Sequence, residues 1–248
     1  IDNFFIDDNV RFVASLNETI LVGYDSGDFS GTRSLIVGVD SDGNKIDNWT
    51  DGNGSGKRLS NYEDDQFIKG YAISDDNILV IWKDERAGNA DIYGQILDYN
   101  GNYLYDESGL AIADGDNDQQ KPTLSYNAVT SEYMICWEDF NGNDFDILCK
   151  TLNSETLQLS DVIVLCNDGS NQKSPDVYAT LDGAYLFTWE DSRNSFTSDI
   201  FYQEMQNGMN MHDQNGIVLC DADFNQKNPK IDIYNESENS YMIYWDDL

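Results

Sequence analysis

The stretch ILVIWKDERAGNADIYGQILDYNGN, residues 78–102, decides the fold because it recurs. It aligns with YMICWEDFNGNDFDILCKTLNSE (133–155), with YLFTWEDSRNSFTSDIFYQEMQNG (185–208) and with the terminal YMIYWDDL (241–248). Trp82, Trp137, Trp189 and Trp245 fall 55, 52 and 56 residues apart, and ILVGYDSG (20–27) puts Tyr24 in the same place 58 residues before Trp82. A second marker keeps the same period. Gln66, Gln119, Gln172 and Gln226 are spaced 53, 53 and 54, and the last three each have a proline three residues on. Two independent markers with one period define a repeat.

Each unit reads as four short strands. A β-rich stretch follows the glutamine (PTLSYN, PDVYAT, PKIDIY), and then comes the run ending in tryptophan. A third strand follows a polar turn (DIYGQILD, DILCKTLN, DIFYQEMQ), and a fourth is short and apolar (GLAIAD, DVIVLC, GIVLCD). Strands of this length bounded by Gly, Asn and Asp turns are the hairpin pattern, and no segment keeps a helical period. The tryptophan runs are apolar almost throughout, which predicts burial on both faces. Four-stranded antiparallel units repeated radially make a β-propeller, whereas a two-sheet sandwich needs no fifty-residue period. The expectation is therefore an all-β, single-domain, five-bladed propeller over 1–248. Its units are approximately 8–60, 61–113, 114–166, 167–220 and 221–248, the last completed by residues 1–7. The last unit shows two strands, 229–234 and 240–246. NFFID (3–7) resembles a fourth strand and is expected to pair with it and close the ring.

Composition narrows the partners. The 46 acidic and 14 basic residues give a net charge of -32, a surface that repels nucleic acid and anionic headgroups. No apolar run reaches the ~18 residues of a membrane span. The chain begins at Ile1 without Met or a signal-like segment, as expected of a mature product or an excised domain. Cys136, Cys149, Cys166 and Cys220 show no CxxC pair or zinc spacing, so buried free thiols are the expectation. Cys136 and Cys149 are opposed only if the register is tight. The sequons at Asn17, Asn48, Asn53 and Asn235 matter only in a eukaryotic secretory route.

Trp-Glu-Asp-x-Arg (Trp189, Glu190, Asp191, Arg193), Asp-Ile-Tyr-x-Gln (Asp91, Ile92, Tyr93, Gln95) and Leu-Asp-x-x-Gly-Asn (Leu97, Asp98, Gly101, Asn102) carry a resemblance. The chain resembles the propeller repeats of many secreted or surface bacterial and archaeal proteins. The resemblance implies a propeller and export to the cell surface or medium. It carries no shared activity, so function must be argued from sites.

Calcium is the sharpest site hypothesis. DGDNDQQKP (114–122) places Asp114, Asp116 and Asp118 at alternate positions, a spacing that lets hard oxygens converge. An EF-hand fails, with Gln119 at position six and Ser125 at twelve, and DSDGNKIDNWTD (40–51) has Lys45 at six and reads as a hairpin turn at Asp42-Gly43. The segments before the marker glutamines are NYEDDQ, DGDNDQ, NDGSNQ and DADFNQ, all with Asp or Asn at five before and one before. The alternation thus belongs to the connection between units, and an Asx-rich turn explains it without a metal. If calcium binds, Asp114, Asp116 and Asp118, with Asp221, Asp223 and Asn225, are the sites.

Catalytic residues are not expected. The sole histidine, His212, lies in a polar loop. Asp84, Glu138, Asp139, Glu190, Asp191, Asp246 and Asp247 follow the tryptophans in register, as turn-capping groups would, and Arg86 and Arg193 stand two beyond Asp84 and Asp191. The reading is a non-catalytic extracellular recognition or scaffold module, a monomer that binds carbohydrate or another protein. Trp49, Tyr62, Tyr99, Tyr103 and Tyr105 are its candidate exposed sugar-stacking rings. The alternative is a glycoside hydrolase or lyase with acidic residues in a central channel. The two differ in symmetry: a binding module repeats its site, and an enzyme needs one acidic cluster that is not repeated.

Overall fold

Strand propensity and turn chemistry dominate the computed structural model, which describes residues 9–28, 31–52, 54–63, 65–194 and 197–248. The protein is all-β, with two single-turn 3-10 helices at Asp47–Trp49 and Glu236–Glu238 among the described residues. Two compact units divide the chain, Ile1–Asp116 and Asn117–Leu248.

The first unit holds two antiparallel sheets. One runs β1 (Asn9–Leu16), β2 (Thr19–Asp28), β3 (Gly31–Val39), β4 (Lys57–Arg58), and the other β5 (Gln66–Ile73), β6 (Asn77–Asp84), β7 (Asp91–Asp98), β8 (Leu110–Ala113). In the second unit, β9 (Gln119–Asn127), β10 (Glu132–Phe140), β11 (Phe145–Asn153) and β12 (Ile163–Cys166) form the third sheet. The fourth has β13 (Gln172–Ala179), β14 (Tyr185–Asp191) and β15 (Asp199–Gln206), with both β16 (Met209–Asn210) and β17 (Ile217–Cys220) paired to β15. The fifth has two strands, β18 (Gln226–Asn235) and β19 (Ser240–Asp247). Residues 3–7, expected to complete it, lie outside the described residues.

The apolar runs take the second place in each sheet, where two neighbours cover them. β6 and β14 are buried along nearly their whole length, and Trp82, Trp137 and Trp189 are fully buried. β19 has one neighbour among the described residues and behaves differently, with Met242 and Tyr244 exposed. In the first unit one core joins Trp49, Trp82, Leu21, Ile36 and Ile78. Trp49, a candidate sugar platform, is only 1% exposed and packs where a side chain at Gly38 would stand. Tyr99 and Tyr103 pack against the same core, and Tyr62 and Tyr105 remain exposed.

The expectation of four free thiols is corrected. Cys136 and Cys149 form a disulfide, with Cα atoms 4.0 Å apart. The β10–β11 ladder continues unbroken to Phe140 opposite Phe145, so a four-residue turn keeps the two cysteines opposite one another. Cys166 and Cys220 are free, and burial pushes the Cys166 thiol up to about 12.

Candidate functional site

The carboxylates two beyond the tryptophans are structural. On a strand, residues two apart share a face, so Asp84 reaches back to accept the indole N–H of Trp82 at 2.7 Å. Asp191 does the same for Trp189 at 3.0 Å, and Asp139 for Trp137 at 3.1 Å. Asp84 also takes the backbone N–H and guanidinium of Arg86, whose head lies between the rings of Tyr62 and Tyr93. Arg193 repeats the arrangement on Asp191. The indoles of Trp82 and Trp189 then abut glycines at positive φ, Gly109 and Gly216, where a Cβ would lie 2.8 and 2.3 Å from the ring.

The connectors are staples. The residue before each marker glutamine offers its carbonyl to the strand after the tryptophan: Asp65 to Glu85, Asp118 to Phe140, Asn171 to Ser192 and Asn225 to Leu248. Its side chain also accepts an N–H at the head of the preceding sheet's third strand, Asp65 from Thr32, Asn171 from Phe145 and Asn225 from Ser198. The glutamine amide turns into its own connector. Gln226 Nε2 has Ala222, Asp223 and Phe224 carbonyls and Asp247 Oδ1 within 3.1–3.4 Å.

Of the candidate calcium ligands, Asp114, Asp116, Asp118, Asp221 and Asp223 are exposed and Asn225 is half-buried. Asp114 lies near Asp91, and Asp221 near Asp199, so the first residue of each connector faces the hairpin of the sheet before it. Burial pushes the Asp91 carboxyl up to about 6, with the Asp114 and Asp84 charges adding to it. Asp146 and Asp199, at the same place in their sheets, are raised for the same first reason. Among the described residues no group of three or more His, Cys, Asp or Glu is arranged to hold a metal ion. His212 is half-buried against the Tyr202 ring.

A second set of carboxylates lies one beyond the tryptophans, and it is bound up with β-bulges. Each first strand carries an irregularity that breaks its ladder: Arg11 in β1, Lys69 in β5, Lys121-Pro122 in β9, Ser174-Pro175 in β13 and Asn228-Pro229 in β18. Lys121, Ser174 and Asn228 take positive φ, between 47° and 52°, a conformation uncommon outside glycine. A bulge re-aims the groups it carries. Ser174 N donates to Glu138 Oε1 at 2.7 Å, Asn228 N to Glu190 Oε1 at 2.9 Å, and Ile68 N to Asp25 Oδ1 at 3.0 Å.

One carboxylate on a first strand breaks the repeat. Asp176 stands four beyond its glutamine, where β9 has Thr123, β18 has Lys230 and β5 has Gly70. It accepts Lys230 Nζ at 2.7 Å and Ile231 N at 2.8 Å. Asp176 lies opposite Thr188 in the register, two before Glu190 on the same face of β14. Both contact β18, and Glu190 Oε1 is held by Asn228 N. The fourth sheet thus has a carboxylate pair, Asp176 and Glu190, that no other sheet has in this register. Beside it in the third sheet, Glu138 is fully buried with Lys121 Nζ at 3.0 Å. Sequence reasoning weighed Glu138 and Glu190 and missed Asp176 and Asp25. The signal for Asp176 was its departure from the repeat.

No protein-family model matches the chain, and no curated protein matches it. Solved structures resemble it in fold. The Penicillium chrysogenum alpha-L-arabinanase complexed with arabinobiose superposes with a TM-score of 0.53 at 12% identity, over 92% of this chain and 69% of that one. Fructan 1-exohydrolase IIa from Cichorium intybus gives 0.54 at 7% identity, over 98% and 52%. NanB sialidase from Streptococcus pneumoniae gives 0.53 at 10% identity, over 86% and 32%. The expectation of a non-catalytic recognition or scaffold module is corrected: these neighbours favour the glycoside hydrolase-type alternative.

Two outcomes follow for the acidic groups. Asp84→Ala leaves a buried indole N–H and the guanidinium of Arg86 without their acceptor and is expected to cost about 3–5 kcal/mol. Asp139→Ala removes only an indole acceptor and should cost about 1–3 kcal/mol; chemical denaturation of both variants checks the order. Because the folded Asp91 carboxyl titrates above its unfolded value, its contribution is intact at low pH and is lost as pH rises through about 6. Asp91→Asn should therefore raise the melting midpoint at pH 7 by roughly 2–5 °C, and melts down to about pH 4 should show that gain vanish.

Proposed function

We propose that this chain is a glycoside hydrolase-type enzyme on a five-bladed β-propeller, acting on polysaccharide outside the cell. The observation that carries the reading is the unrepeated pair Asp176 and Glu190. A ring of equivalent binding clefts would repeat its acidic groups, and this pair breaks the repeat. Diagonal neighbours on one sheet face lie about 7–8 Å apart, and inverting glycosidases hold their carboxyl groups about 6.5–9.5 Å apart. Asp176, held by Lys230 Nζ and Ile231 N, serves as the base. It takes a proton from the water that attacks the anomeric carbon. Glu190, fixed through Oε1 alone, gives its proton to the departing glycosidic oxygen through Oε2. The arabinanase, fructan exohydrolase and sialidase that share the fold act on glycans, which supports the substrate class.

Ring closure belongs to the same proposal. Among the described residues β19 pairs with β18 alone, where β6, β10 and β14 each have a second neighbour, and NFFID (3–7) has a composition suited to pairing there. Removing residues 1–7 should lower the melting midpoint by several degrees (about 2–4 °C per kcal/mol of lost pairing), and an unchanged midpoint rejects closure. For the chemistry, reducing-end release is measured over arabinan, xylan, fructan and acidic polysaccharides. Asp176→Asn and Glu190→Gln should each lower the turnover by about 10²–10⁴-fold with the fold intact. Either variant at full activity, or no release from any polymer by the wild type, rejects the assignment.

A further inference from the structure

Charge is divided in this molecule by strand position. The first strands of the five sheets hold six of the 14 Lys and Arg residues (Arg11, Lys69, Lys121, Lys173, Lys227 and Lys230) and only two of the 46 Asp and Glu, Asp176 and Asp232. Everywhere else acid outnumbers base by more than five to one. An acidic coat is a common route to solubility; first strands that carry a Lys or Arg in every sheet, and net positive charge in four of the five, are a separate feature with a separate cause.

The bulges sharpen the pattern. In the first three sheets the residue that the bulge throws out of the ladder is Arg11, Lys69 or Lys121. In the first unit three cations come together. The charges of Arg11 and Lys83 both act on Lys69, with Asp25 opposing them. Asp25 is already committed to Arg11 Nε at 2.6 Å, Ser34 Oγ at 3.0 Å and Ile68 N at 3.0 Å. Lys83 pairs with the exposed Glu85 at the rim. Lys69 makes no ion pair among the described residues and is exposed. The half-buried ring of Phe67 lies beneath, 5.8 Å from Lys69 Nζ and 5.1 Å from Lys83 Nζ. An aromatic face beside converging ammonium and guanidinium groups fits a sugar ring that carries an anionic substituent. Among the described residues Lys69 has no acidic partner of its own beside two other cations, and mutual repulsion makes that placement unfavourable until an anion arrives.

We propose that the glycan this protein handles is anionic, and that Arg11, Lys69 and Lys83 hold its carboxylate or sulfate groups over the Phe67 ring. The identity of the ligand as a glycan rests on the hydrolase reading above; the anion preference rests on the cations themselves. The negative coat does not forbid the approach, because at physiological ionic strength its field is screened beyond about 8 Å while the contacts at Lys69 are not.

Matched polymers separate the possibilities. Affinity electrophoresis of the full chain is run through polygalacturonate, through its fully methyl-esterified form, through dextran sulfate and through dextran. Retardation by polygalacturonate and not by its ester supports a carboxylate ligand, and retardation by dextran sulfate and not by dextran supports a sulfate. Lys69→Gln should weaken the retarding interaction by about tenfold, and Lys69→Arg should restore it. Equal retardation by charged and uncharged partners, no retardation by either polyanion, or full binding by Lys69→Gln overturns the proposal. Reducing-end release, measured separately, tells the two readings apart. Polyanion binding without cleavage of any polymer leaves the anion site standing and removes the hydrolase. Cleavage of neutral arabinan without polyanion binding does the reverse.

Discussion

A buried indole has one hydrogen to place, and most of each repeat follows from placing it. Trp82, Trp137 and Trp189 fill the middle of their sheets, where an unmet N–H costs about 1–3 kcal/mol. A residue two along the strand lies on the same face and within reach, and an aspartate stands there. Asp84 and Asp191 are themselves buried and need cations or N–H donors. At Asp84 and Asp191 the arginine two further on supplies both, through its backbone N–H at the hairpin and through its guanidinium. The arginine then has donors to spare, which end on the carbonyls of Ser108 and Asn215, in the loops leading to the fourth strands. One donor thus fixes a turn, a third strand and the approach of a fourth. The third sheet lacks the arginine. There the hairpin is held by Asn141, which caps the N–H groups of Asn143 and Asp144, and by the Cys136–Cys149 disulfide.

Adjacent sheets within each unit are joined by a different set of groups. The residue before each marker glutamine gives its carbonyl to its own sheet, and in three connectors its side chain accepts an N–H from the preceding one. The bulges turn further N–H groups toward Asp25, Glu138 and Glu190. These contacts are polar, short and directional, and they fix the register of one sheet on the next more strictly than apolar packing does. They also take carboxylates out of solvent at the edge that carries the first strands, next to the lysines.

The strands, their order and the second-strand burial were legible from period and composition, because tryptophan and glutamine recur and each has a local reason to do so. The connector was legible as architecture: its Asp and Asn at the position before glutamine are the staple. The bulges were not, since nothing in QQKP or QKSP announces that a lysine or serine will adopt positive φ ahead of a proline. Asp25 was hidden by the divergence of its repeat. Asp176 was hidden for the opposite reason, because attention to what recurs passes over the residue that does not. The disulfide depended on a four-residue turn at Asn141–Asp144 keeping register, and the alternative of a looser loop reads the same in the sequence. Trp49 was misread because a polar surrounding, DNWT, concealed a ring that closes the core over Gly38.

The bulge positions have a property that the tryptophan clamps lack. Arg11, Lys69, Lys121, Ser174 and Asn228 occupy one place in five copies of a single plan, yet five sheets use four residue types there. In the third and fifth sheets the bulge side chain meets the second strand of its own ladder, Lys121 at Glu138 and Asn228 at Asp246. The residue at this place can therefore change one copy at a time while the tryptophan clamps stay as they are. A repeat built in this way can vary one position sheet by sheet and keep its clamps constant.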